Sequence, residues 1–192
     1  MSSVSRSRAE LAASLTAALL SPAEAQGFEV HGRRNAAVLV PLYLNDGELH
    51  AVFTRRRDDM RLHPGQVSFP GGSQDADEDL GDTALREACE EIGLDPSGVE
   101  IVGALKPTPT FVTDFSVYPF VGLIEPGQTW TPSDEEVAAI IEPSVDQLRD
   151  GWAERPVETS RGTFTSDTYL IGEDLIWGAT ARIVANLLRV LP

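Results

Sequence analysis

The sequence predicts an α/β (α+β) sandwich, a class in which strands and helices are interspersed around one core. Three observations carry that expectation. Apolar runs of strand length recur along the chain, amphipathic stretches of helical period fall between them, and there is neither an internal repeat nor a low-complexity segment. A length of 192 residues suits a single domain with a sizeable core.

The elements follow in order. Leu11, Leu15 and Leu19 recur every four residues, so an amphipathic helix is expected from about Ser7 to Leu20, ending before Pro22. Arg6 and Arg8 ahead of that run, and Ala23-Glu24-Ala25 behind it, imitate a secretion leader. Glu10 beside the run and Ser14 and Thr16 within it favour a docked helix instead. The expected organisation is a helix and linker over residues 1–33, followed by the main domain over 34–192.

Ala36 to Leu44 is an apolar run of strand length, Asn45-Asp46-Gly47 signals a turn, and Leu49 to Arg55 reads as the returning strand of a hairpin. Asp58 to Pro64 is a polar loop, and Gln66 to Phe69 a short strand leading into Pro70-Gly71-Gly72. A helix is expected from about Asp82 to Ile92, with Asp82 as N-cap and Gly93 just past its end. Val99 to Leu105 and Phe115 to Ile124 read as strands, with Pro107 to Asp114 as the loop between them. Glu135 to Ile141 fits either a strand or a helix. Ser144 to Asp150 reads as a short helix, Phe164 to Ile171 as a strand and Ala179 to Val190 as a closing amphipathic helix.

Composition narrows the function. Thirty Asp and Glu against 15 Lys and Arg leave a formal charge of −15. Such a surface disfavours non-specific binding to nucleic acid or to an anionic membrane, because both need cationic patches. It leaves room for a small anionic substrate held by local arginines and metal. No stretch is long and apolar enough to span a bilayer. Lys106 is the only lysine, so nearly all positive charge sits on arginine, whose fork suits phosphate. Cys89 is the only cysteine, which excludes an intrachain disulfide and fits a reducing, cytoplasmic setting. On a helical wheel it falls toward the apolar back, as a buried thiol.

The helix before Gly93 carries the chemistry. At about 100° per residue, with Glu87 at zero, Glu91 lies near +40° and Glu90 near −60°, while Leu85, Ala88 and Ile92 lie on the other side. Like charges at these spacings repel by about 0.2–0.5 kcal/mol per pair, so three carboxylates on one front need compensation. Arg86 supplies one positive charge, and a divalent cation would supply more. Oxygen ligands without a nearby His or Cys pair favour Mg²⁺ or Mn²⁺.

These residues belong to a longer pattern, G-x5-E-x7-R-E-U-x-E-E-x-G-U with U aliphatic. It is matched by Gly72, Glu78, Arg86, Glu87, Ala88, Glu90, Glu91, Gly93 and Leu94. This resembles the Nudix box of the Nudix hydrolases. The resemblance implies a mixed sheet between helices. It also implies metal binding by Glu87, Glu90 and Glu91, and an Arg86 that holds the glutamates in place with help from Glu78. The reaction implied is attack of water on a nucleoside diphosphate linked to another group. Glu90 is one candidate for the general base. Glu135 or Glu136, in the acidic stretch Ser133 to Val137, is another, since the family sometimes takes its base from a distal loop. Gly71 and Gly72 let backbone groups approach ion or substrate.

The segment upstream, Val52 to Gly72, resembles the extra signature of the coenzyme A pyrophosphatase branch, L-L-T-x-R-[SA]-x3-R-x3-G-x3-F-P-G-G. Thr54, Arg55, Arg61, Gly65, Phe69, Pro70, Gly71 and Gly72 are assigned to its fixed positions, and Arg57 stands where Ser or Ala is expected. The resemblance implies hydrolysis of coenzyme A and its thioesters. The separate 3′-phosphate of coenzyme A asks for cations outside the metal site, and Arg55, Arg56, Arg57 and Arg61 form a basic island, with Arg55 and Arg61 the candidate substrate contacts. The alternative is that these arginines pair with Asp58, Asp59 or the box carboxylates and stabilise the loop, and His63 either donates to phosphate or fixes the loop turn. Other Nudix substrates (ADP-ribose, a dinucleotide, a nucleoside triphosphate) and a non-catalytic nucleotide-sensing module are the alternatives. A homodimer is compatible with the resemblance.

Overall fold

The structure is a computed structural model that describes residues 7–60, 63–110, 114–159 and 162–191. Arg61 therefore lies outside the described residues, as do residues 111–113 of the loop around Phe111.

The central element is a mixed sheet. Strand β1 (Arg34–Asn45) runs parallel to β8 (Phe115–Leu123), from Arg34 beside Phe115 to Leu42 beside Leu123. Antiparallel neighbours extend the sheet: β2 (Glu48–Ala51) and β5 (Gly71–Ser73) pair with β1, while β6 (Glu100–Ala104) and β7 (Thr108–Pro109) pair with β8. β1 and β8 are near-continuous apolar runs because both of their faces are covered. On one face Ala37, Leu39 and Phe120 pack with Ala25 of helix α2 (Pro22–Gln26) and with Leu80, Ala84, Ala88 and Ile92 of helix α3 (Leu80–Ile92). On the other, Val40, Leu42 and Val121 pack with Leu11 and Leu15 of helix α1 (Arg8–Ala18), Leu148 of helix α4 (Val145–Gly151), and Ile183, Val184 and Leu187 of helix α5 (Gly178–Val190). The expected mixed sheet between helices is the fold observed.

Two smaller antiparallel sheets flank it. One joins β4 (Val67–Ser68), β3 (Phe53–Arg56) and β9 (Val137–Ile141); the other joins β10 (Trp152–Thr159), β11 (Gly162–Ile171) and β12 (Asp174–Ile176). The N-terminal helix docks through Leu11 and Leu15, which are buried, and Ser7 closes a reciprocal cap with Glu10. The expected linker contains α2, and Leu20 forms an isolated bridge with Ala104.

Several boundaries differ from the sequence expectation. The returning strand after Gly47 divides at Val52, because Ala51, Val52 and Phe53 are all fully buried, and consecutive buried residues need cover on both faces. The chain there crosses from the central sheet to the β3–β9 sheet. Residues 137–141 are strand rather than helix. Trp152–Thr159 is a strand that sequence patterning did not single out. The N-cap of α3 is Asp79, whose side chain accepts from the Gly81 amide at 2.8 Å, and Asp82 sits in the first turn.

Candidate active site

Helix α3 lies over β1 and β5, and the wheel drawn from sequence needs one revision. Its buried residues are Leu80, Thr83, Ala84, Ala88, Glu91 and Ile92. These span about −40° to about +140° on the wheel with Glu87 at zero. The acidic front and the apolar back are therefore not opposed, since Glu91 sits within the buried arc. Glu87 also lies within the arc but is only half-buried, Glu90 is exposed and Cys89 falls outside it. Cys89 is exposed, contrary to the buried thiol expected.

The N-terminal half of the site is built around Arg86. Its Nε and Nη2 grip both oxygens of Glu78 at 2.9 and 3.1 Å, and Nη1 reaches Glu87 at 2.9 Å and Glu90 at 3.3 Å. Nη2 also donates to the Ser73 carbonyl at 3.2 Å, tying the helix to β5. Glu78 accepts further from the Thr83 hydroxyl at 2.7 Å. The Arg86 fork, followed by Thr83, pulls the Glu78 carboxyl down to about 2.

The C-terminal half is short of positive charge. The Glu91 side chain is 7% exposed. It accepts one hydrogen bond from the Gly71 amide at 3.2 Å, and Arg56 Nη1 stands 3.7 Å away. Burial outweighs both contacts, and the neighbouring Glu87 and Glu136 add to it, raising the Glu91 carboxyl to about 8. Glu87 is also raised, chiefly by burial against the opposing pull of Arg86. Gly72 faces it so closely that a Cβ there would collide with the Glu87 carboxylate.

Glu136 arrives from the segment ahead of β9. Arg56 bridges the two halves of this cluster, donating from Nη2 to Glu136 at 3.1 Å while standing beside Glu91. Its Nε is buried without a hydrogen-bond partner among the described residues. Counted from Thr54, the upstream signature gives its arginine position to Arg56 rather than Arg55, and Arg56 is the one beside the carboxylates. Arg55 instead pairs with Asp174 at 3.0 Å, joining β3 to the start of β12. The alternation of side chains along β3 sends these neighbours to opposite faces, a distinction that composition alone does not make. His63 takes a left-handed backbone conformation with φ of 56°, and its Nδ1 donates to the Gln66 side-chain oxygen at 2.7 Å, which fixes the loop turn.

The donor set tests whether a hard cation fits. Among the described residues no three Asp, Glu, His or Cys side chains converge as a ready cage, because Arg86 and Arg56 hold the carboxylates. The chemistry nevertheless matches Mg²⁺ or Mn²⁺: oxygen donors only, a buried carboxylate whose arginine partner stands as far off as 3.7 Å, and a glycine backbone pressed against Glu87.

Known proteins share both the sequence and the fold. The NUDIX domain profile matches residues 33–163. Two relatives, each described as an uncharacterized Nudix hydrolase NudL, are close in sequence. That of Enterobacter sp. (strain 638) is 40% identical over 162 residues, and that of Pectobacterium atrosepticum is 38% identical over 161. The matches cover 83% of this chain and 83% of the Enterobacter protein, and 82% and 83% for Pectobacterium. The fold is shared with a MutT/nudix family protein from Enterococcus faecalis, with a TM-score of 0.55 at 17% identity over 96% of this chain and 74% of that one. It is shared also with the Nudix hydrolase RenU of M. smegmatis, with a TM-score of 0.53 at 19% identity over 69% and 81%. The chain belongs to the Nudix hydrolase family. Among the described residues, no helix is long and apolar enough to cross a membrane.

Proposed function

We propose that the protein is a Mg²⁺- or Mn²⁺-dependent coenzyme A diphosphatase. It would hydrolyse the pyrophosphate bond of coenzyme A and its derivatives to 3′,5′-ADP and 4′-phosphopantetheine or its acyl form. The observation that carries this reading is the meeting of two sequence signatures at one place. The upstream segment delivers Arg56 and the Gly71 amide to Glu91, the buried carboxylate of the Nudix helix.

Glu87 and Glu91 would hold the cation, with Glu90 at the exposed rim, and the bound ion would polarise the pyrophosphate and lower the pKa of a water. The chain's own residues supply the rest. Arg86, braced by Glu78, keeps Glu87 and Glu90 in position. Gly72, with no side chain, lets the backbone of β5 press against the Glu87 carboxylate. Glu136 is the carboxylate proposed to take the proton from the attacking water, because it comes from a separate segment and shares Arg56 with Glu91. Glu90, which shares Arg86 with Glu78 and Glu87, is the other candidate. Arg56, with a spare buried donor, is proposed to meet substrate phosphate, together with Arg61. Arg55 and His63 then serve as braces. The acidic chain with one cysteine fits a cytoplasmic enzyme with a small-molecule substrate and no nucleic-acid partner.

The test is product analysis by mass spectrometry after incubation with coenzyme A and Mg²⁺ or Mn²⁺, with ADP-ribose alongside. Release of 3′,5′-ADP and 4′-phosphopantetheine, with ADP-ribose slow, is expected. Cleavage of ADP-ribose alone would keep the pyrophosphate chemistry and reassign the substrate. Tight nucleotide binding without product under any divalent ion would make the chain a sensing module.

A further inference from the structure

We propose that Arg57 is a positioning residue that clamps the 134–136 segment and so fixes where the Glu136 carboxylate stands. The proposal rests on the reading of Glu136 as a working carboxylate of the site.

Arg57 immediately follows β3, at the position where the coenzyme A signature carries Ser or Ala. Its Nε and Nη2 take both oxygens of Asp59 at 2.9 and 2.8 Å, its Nη1 donates to the Asp134 carbonyl at 2.8 Å, and its backbone amide donates to the Glu136 carbonyl at 3.0 Å. Its own carbonyl accepts from the Gly65 amide at 3.4 Å. One residue thus ties the loop after β3 to both ends of the segment that presents Glu136. A Ser or Ala would keep only the backbone bond.

The rest of that segment rides on the end of α3. The Thr131 amide donates to the Ile92 carbonyl at 3.0 Å and the Ser133 amide to the Glu91 carbonyl at 2.9 Å, satisfying two carbonyls that a helix end leaves without partners. Arg56 holds the far tip of the Glu136 side chain. The register of β3 against β9 shifts between Arg55 and Arg56, so the pairing is irregular where Glu136 leaves the sheet. Backbone bonds hold Ser133, Glu136 and Val137, while the Asp134 carbonyl between them is held by the Arg57 side chain, and the Glu136 carboxylate is 46% exposed. Arg57 thus fixes the segment at Asp134 as well as Glu136. The Arg57 side chain is itself 42% exposed, so its fork adds little to global stability. Its effect is local order.

The fork also argues against Arg57 as a phosphate ligand, since Asp59 neutralises it and Asp134 occupies its remaining face. The two roles separate in kinetics.

The experiment uses the full chain with Mg²⁺ and whichever pyrophosphate substrate product analysis shows it to cleave. A failure of the coenzyme A assignment therefore leaves this test intact. Arg57→Ala is expected to lower kcat by about tenfold with KM changed less than about twofold, the cost of a misplaced group rather than a lost binding contact. Arg57→Lys is expected to fall between wild type and Arg57→Ala, and Asp59→Asn to give a smaller loss in the same direction. In a Glu136→Gln background Arg57→Ala is expected to cost nothing further. Amide hydrogen exchange, which needs no turnover, is expected to quicken at residues 135–137 in Arg57→Ala while that of α3 stays unchanged. A raised KM at constant kcat, an equal kcat loss in both backgrounds, a Glu136→Gln enzyme with full kcat, or unchanged exchange at 135–137 would each overturn the proposal.

Discussion

The two halves of the α3 front carry the same residue type and have opposite electrostatic characters. Around Arg86, three carboxylates share one guanidinium with short, well-directed hydrogen bonds, and Glu78 is held strongly ionised, its carboxyl down to about 2. Around Glu91, a more deeply buried carboxylate has one amide and an arginine at 3.7 Å, and its carboxyl rises to about 8. In the first half Glu78 is fully matched by Arg86, while Glu87, which shares that arginine, is still raised by burial. The second is left short of positive charge, at the place where a cation would sit. Burial and arginine supply thus give chemically identical glutamates different acidities, Glu78 held low and Glu91 raised.

The sharpest way to break this comparison is to neutralise one carboxylate in each half. Glu91→Gln is expected to cut metal-dependent turnover by about 100-fold or more, the scale of losing a principal electrostatic group. It is also expected to raise the urea midpoint of the metal-free protein at pH 8, because a destabilising buried charge is gone. Reduced turnover with a lowered midpoint would mean that Glu91 is a structural carboxylate instead.

Arg86→Gln reverses the pattern. Removing the shared partner of Glu78, Glu87 and Glu90 is expected to destabilise the fold by about 3 kcal/mol, read by urea denaturation, because partly buried carboxylates lose their countercharge. Gly72→Ala probes the boundary between the halves. Its Cβ would displace the Glu87 carboxylate, and kcat is expected to drop by about tenfold or more with a modest change in stability, read by steady-state kinetics beside thermal melts.

Acidity supplies a graded test. The unfolded chain releases the Glu91 proton near its ordinary value of 4.5, whereas the folded chain keeps it until about 8. Between those values the folded state holds more protons than the unfolded one, so metal-free stability is expected to decline as pH rises across that window and then to level off. Glu87, also raised, acts in the same direction. Glu78 acts oppositely, and its contribution disappears as pH falls toward 2. Because an ion binds the ionised form, the Mn²⁺-induced rise in melting temperature is expected to grow with pH up to about 8, and addition of chelator should abolish it. A pH-independent Mn²⁺ effect would place the ion elsewhere. The smallest effect belongs to Arg55→Ala. Loss of its half-exposed pair with Asp174 is expected to cost under about 1 kcal/mol and to leave KM unchanged, and a large KM increase would return Arg55 to the substrate site.

Much of this molecule was legible before any coordinates. The spacing from Gly72 to Leu94, the apolar runs of β1 and β8, and the four-residue leucine period of α1 are local signals, and local geometry obeys them. Sequence periodicity also located all three helix glutamates and Arg86. Tertiary structure decided which of them are buried. Two covered sheet faces place Glu91 inside the packed arc of α3 and leave Glu90 and Cys89 outside it, and periodicity cannot tell a buried carboxylate from a solvated one. Tertiary structure also chose Arg56 over Arg55, since the two differ only in the strand face they occupy. It brought Glu136 from beyond β8 to the helix, through long-range pairing of β3 with β9 that no spacing rule encodes.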